Sequence, residues 1–164
     1  MPRASIVLCV FLVVAESIAA ASSARKLSLE ELARQADAIV KGHVEKLLTE
    51  TSPDRAIVTT IAVLAVDRQW KGPRAATLAI RQPGGSSGDI TQQVAGAPKF
   101  AIDEKVLVFL KREGRGHYVT VGGRQGKFSV KTDAQTGSDF VEDLTGSKQA
   151  LETFLGRLNE ALAR

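Results

Sequence analysis

Cysteine is nearly missing: the 164-residue chain has one, Cys9, inside an N-terminal apolar run. A chain trimmed of that run has no disulfide and no thiolate metal site. Small secreted animal domains usually carry disulfides, so a cysteine-free domain looks more bacterial. Aromatic residues are also few, at one Trp, one Tyr and six Phe. That leaves little surface for stacking nucleobases, and no nucleic-acid partner is expected. The only histidines are His43 and His117, and the motif His-Glu-x-x-His is absent. Zinc-hydrolase chemistry therefore lacks its ligand spacing, and neither a metal nor a cofactor is expected. Charge of one sign does not dominate, with 22 Lys+Arg against 18 Asp+Glu and a net charge of +4. The charges are interspersed, which describes a mildly basic, solvated surface.

What is present begins with an export signal. Arg3 precedes the uninterrupted apolar run Ile6 to Ala15, which stops at Glu16. About ten apolar residues are too few to span a bilayer, which takes about 20. Small residues follow at Ala19-Ala20-Ala21 and Ser22-Ser23-Ala24. The pattern predicts a signal peptide over residues 1–24, cleaved after Ala21 or Ala24. Residues 25–164 then form one exported domain, periplasmic or extracellular, with no membrane-spanning segment in the mature chain.

Element signals are clear along that domain. Ser28-Leu29-Glu30-Glu31 has the form of a capping box and predicts a short helix ending near Asp37. Ala38 to Leu48 is a strand interrupted by Gly42, which signals a bulge or bend. Ala56 to Val66 is apolar on both faces and rich in β-branched residues. Shorter strands are expected at 76–81, 105–111, 117–121 and 127–131. Flexible loops are expected at 83–89 and 133–143. An amphipathic helix is predicted from Ser147 to Leu162 on the stripe Leu151, Phe154, Leu155, Leu158, Leu162. Period-2 burial predicts a core of Ile39, Val44, Ile57, Val58, Ile61, Val63, Val106, Val108, Phe109, Val121 and Phe128. Trp70 is expected to cap one end of the barrel, and His43 to be a satisfied barrel residue. Six strands flanked by two helices predict a mainly β fold, a small OB-like β-barrel.

Three segments carry a family likeness. Ala36-Asp37-Ala38-Ile39-Val40 places an Ala-Asp pair before an apolar strand. A long strand ends in Trp70-Lys71-Gly72. Asp103-Glu104-Lys105-Val106-Leu107-Val108-Phe109 leads into a Gly-rich hairpin. This order resembles the OB-fold domain of tissue inhibitors of metalloproteinases and the wider netrin-like module. The resemblance implies a netrin-like barrel and a protein partner, with an extracellular protease as candidate. Those inhibitors chelate the protease zinc through a mature N-terminal cysteine, for which this chain has no counterpart. The Gly-Gly loop and Gly96-Ala97-Pro98-Lys99-Phe100 are also similar to segments of bacterial exported proteins.

Candidate site residues cluster in two loops. Gly84, Gly85, Ser86 and Ser87 form the first, and Arg112, Arg115 and His117 surround the second. Loops on a rigid barrel are where contacts concentrate. Gly84-Gly85-Ser86-Ser87-Gly88 also matches the nucleophile motif Gly-x-Ser-x-Gly, with His117 as a downstream base. The following residues are too few before Gly96 and Pro98 to build the helix that positions such a serine. The leading expectation is a non-catalytic binding module. A hydrolase using Ser86 and His117 is the alternative, and an envelope glycan or polyanion binder is the third. Asp133, Asp139, Glu142 and Asp143 lack the alternating ligand spacing of a calcium loop and are expected to be solvated.

Overall fold

The computed structural model describes residues 25–53, 57–114 and 116–163. The signal-peptide segment and Arg115 lie outside the described residues. Helix α1 spans Leu29–Gln35, and its capping box forms as the sequence requires. Glu31 N–H donates to Ser28 Oγ, while Ser28 N–H donates to Glu31 Oε2. Then come β1 (Ala38–Thr51), β2 (Val58–Lys71), β3 (Thr77–Pro83), β4 (Gly85–Ser87), β5 (Ile90–Gln92), β6 (Lys105–Glu113) and β7 (His117–Thr120). A 3₁₀ turn at Gly123–Gly126 leads to β8 (Lys127–Thr132), β9 (Asp139–Glu142), β10 (Lys148–Ala150) and helix α2 (Leu151–Leu162).

Five strands make a ring. β1 pairs with β2, β2 with β3, β3 with β7, β7 with β6, and β6 returns to β1. Every junction is antiparallel except β3–β7, which is parallel and joins only Ala79 to His117 and Ile80 to Tyr118. Past Ile80, β3 is paired with β2 alone. The fold is thus mainly β and barrel-like, a ring that closes partly, with one helix near the N-terminus and one at the C-terminus. β8 joins β6 at Val106–Val108, and β9 and β10 continue from it as an antiparallel wing.

Two apolar clusters result, and β1 and β6 serve both. Val40, Val44, Leu64, Ile80, Val108 and Leu110 fill the ring's interior. On the opposite face, Ile39, Leu107 and Phe109 meet α1, α2 and the wing through Leu32, Val141, Phe154 and Leu158. Phe128 bridges this layer, its ring 5.8 Å from that of Phe109 and 4.9 Å from that of Phe154. Gly42 is where β1 bends, as expected. Its register against β2 slips between Lys41 and Gly42. A Cβ there would stand 1.9 Å from the carbonyl oxygen of Ala65, so only glycine fits.

Several expectations need correction. Among the described residues ten strands form where six were expected. The 83–89 loop contains β4 and runs into a hairpin with β5. The 133–143 loop contains β9, and 148–150 is strand β10, so α2 starts at Leu151 and not at Ser147. Ile57 is 57% exposed beside the hairpin tip and is not core. Val63 and Phe128 are only partly buried. Trp70 packs against the helix-covered layer, with the Arg68 guanidinium 4.9 Å from its ring.

Candidate functional site

One end of the ring's interior opens into a cavity of about 680 Å³. The alternation of β2 and β3 explains its chemistry. Ala62 and Leu64 face inward on β2, and one step further along the same face is Thr60. Leu78 and Ile80 face inward on β3, and one step further is Gln82. Thr60 and Gln82 are cross-strand partners, so the apolar core ends in a polar layer. Leu47 and Thr49 of β1 and Phe100 line the same mouth.

The β4–β5 hairpin is strapped across this opening. Thr60 Oγ1 donates to the Gly84 carbonyl oxygen at 2.8 Å. Val58 N–H donates to Gln92 Oε1 at 2.9 Å, and Gly84 N–H donates to the Val58 carbonyl oxygen at 2.8 Å. Gly85 sits at φ 138°, and a Cβ on it would fall 2.2 Å from Thr60 Oγ1. The Gly-Gly pair is therefore required by both conformation and close approach. Thr51 Oγ1 donates to Ser87 Oγ at 2.9 Å, tying the hairpin to the end of β1.

Gly84, Gly85 and Ser86 line the mouth, and Ser87 anchors the hairpin beside it. The Ser86 hydroxyl lies 3.0 Å from Thr91 Oγ1. β4 runs into β5, with no helix behind the serine. His117 pairs with Ala79, four residues before the end of β3, which is about 13 Å of extended strand. Among the described residues no hydrogen bond joins Ser86 to His117. The structure does not bring that pair together as a nucleophile and base.

The second predicted loop is a different kind of surface. Arg112 N–H donates to Asp37 Oδ2 at 2.8 Å, and its guanidinium reaches Tyr118 Oη at 3.5 Å. That hydrogen bond raises the Arg112 pKa. Tyr118 itself is buried in the ring interior. Arg81 pairs with Glu113 at 3.8 Å. Arg112 and His117 therefore border a hairpin and do not line the mouth; Arg115 lies outside the described residues. His43, expected to be a satisfied barrel residue, keeps a part-exposed side chain 3.5 Å from Asp67 Oδ1.

The acidic residues build turns. Asp133 Oδ1 accepts from the N–H groups of Gln135 and Thr136, and Asp143 Oδ1 accepts from those of Thr145 and Ser147. Among the described residues no group of three or more His, Cys, Asp or Glu is placed to hold a metal. No helix there is long and apolar enough to cross a membrane. Sequence reasoning found the Gly-Gly loop but missed Thr60, Gln82 and Gln92. A polar residue at an inward position of an apolar strand was the available signal. No protein-family model matches the chain, and no curated protein matches it either.

Proposed function

We propose that this is an exported, non-catalytic binding module on a netrin-like, OB-type barrel, with the barrel mouth and the β4–β5 hairpin as its contact surface. The observation that carries the reading is the mouth itself. It is an opening of about 680 Å³ held between strands and walled by neutral polar and apolar side chains together with Lys99. Ligand sites favour the mouths of β-barrels, and loops on a fixed scaffold carry contacts. The pairing of Ser86 with Thr91 supports binding over acyl transfer. The Arg3 to Ala15 pattern supports export. The partner is a protein outside the cytoplasm, an extracellular protease by resemblance, met through loops and not through zinc chelation.

The test has two arms. Crosslinking in the native exported fraction is expected to capture a partner whose crosslinks map to the 84–100 region. Wild type, Ser86→Ala and His117→Ala are then compared on broad esterase and peptidase panels. Wild-type turnover that disappears in either variant replaces this reading with the hydrolase.

A further inference from the structure

We propose that the barrel mouth receives a short, uncharged, extended stretch of the partner polypeptide, which donates a main-chain N–H to Gln82 Oε1. This deepens the binding reading of the same mouth and rests on it. Gln82 ends the inward row Leu78, Ile80, Gln82 on β3 and is 9% exposed. Its Oε1 is buried and has no hydrogen-bond partner. An unpaired buried acceptor costs stability that an apolar residue of the same shape would not. Among the described residues no group donates to it: the Thr60 hydroxyl gives its hydrogen to Gly84 O, the Ser86–Thr91 hydroxyl pair is closed on itself, and Gln92 is held by its Oε1 accepting the Val58 N–H. The missing donor comes from outside.

The wall selects the class of donor. Among the described residues Lys99 is the only charged side chain in the lining, and it is exposed. A charged group beside Gln82 would lose its hydration without a counter-charge. Phe100 is the only aromatic ring in the lining, and it is buried with Lys127 Nζ 5.1 Å from its centroid. A sugar ring finds no open aromatic platform there. A peptide group is neutral and carries both a donor and an acceptor. Small side chains flanking it match Val94, Ala95, Ala97 and Pro98, which line the same mouth.

The experiment titrates the isotope-labelled protein with a pool of N-acetyl, C-amide tetrapeptides made of Ala, Val, Ser and Pro. Saturable shifts of the Thr60, Gln82 and Gly84 amides are expected. Gln82→Met keeps the shape and removes the acceptor, so affinity should fall about tenfold, with the melting temperature unchanged or raised. Ala95→Trp, at an exposed wall position, should abolish the shifts even if the core substitution fails to fold. Absent shifts overturn the proposal, as do shifts with cellobiose alone. A Gln82→Met protein with lowered melting temperature and unchanged peptide affinity overturns it too, because the amide is then structural. If wild type and both variants capture the crosslinked partner equally, this inference falls while the binding reading stands. Neither capture nor peptide shifts in wild type removes both.

Discussion

The barrel has a covered side and a bare side, and the strands on each differ in the size of their outward residues. On the covered side, β1 and β6 turn Ile39, Leu107 and Phe109 outward, and all three are fully buried under the helices and the wing. On the bare side, β2 and β3 turn Thr59, Val63, Ala65 and Ala79 outward, and these stay part-exposed, while Ile61 on the same face of β2 is 4% exposed. Each strand still fills the interior with its other face. A strand apolar on both faces thus has two outcomes. Several large outward side chains side by side lose enough water-exposed area to hold an amphipathic helix in place, whereas one isoleucine among small neighbours does not. The ends of the interior differ as well, because the β2–β3 rows run out into Thr60 and Gln82 and leave a polar mouth there.

The comparison breaks most severely at Phe109. It is fully buried and contacts the rings of the helix-facing layer through Phe128. Phe109→Ala is expected to cost about 3–5 kcal/mol, from lost transfer energy plus the cavity left behind. Urea unfolding measures it, and an unchanged midpoint would contradict the two-sided burial of β6. Next comes the junction shared by both sides, Gly42, which pairs with β2 and with β6. Gly42→Val places a Cβ against the Ala65 carbonyl, a backbone atom that can yield only by moving β2. The expected loss is about 1–3 kcal/mol, the range for overpacking. On the bare side, Val63→Ala should lose less than about 1 kcal/mol, because the residue already meets solvent. A loss as large as that of Phe109→Ala would mean that something covers this face.

Most of the ring was legible in the sequence because its strands are long and strongly patterned. The capping box at Ser28 and Glu31, the bend at Gly42 and the continuous apolar run of β6 all reported their own structure. The wing was not legible, since β9 and β10 are four and three residues long and carry their pairing in the backbone. Phe140 and Val141 alone are too short a pattern to separate strand from loop. Ile57 misled because alternation continues beyond the ring into a hairpin tip that nothing covers. The Gly-Gly loop was visible as a glycine-rich turn after a strand. In the polar layer beneath it, Thr60 lies in a β-branched run and is indistinguishable there from a packing residue, so Gln82 at an inward position of β3 was the one legible signal.

A final, smaller effect separates the layers by pH. The carboxyls held below their ordinary values are Glu31, Asp133, Glu142 and Asp143, all in α1 or the wing. The Ser28 backbone hydrogen bond lowers Glu31, and backbone hydrogen bonds from Thr136 and Gln135 lower Asp133. The Lys131 ammonium lowers Glu142. Burial pushes Asp143 up, but hydrogen bonds from Thr145 and Ser147 outweigh it. A group with a lowered folded pKa contributes its stability in full above its unfolded value, and loses it as pH falls through the folded value. Those unfolded values are 3.8 for Asp and 4.5 for Glu. Acidification through and below them should loosen α1 and the wing turns. The groups are exposed or nearly so, hence solvent screening keeps the effect slight. Hydrogen exchange resolves it. Amides of β8, β9 and α1 are expected to lose protection at higher pH than those of β2 and β3. Simultaneous loss would show that the wing and the barrel unfold as one unit.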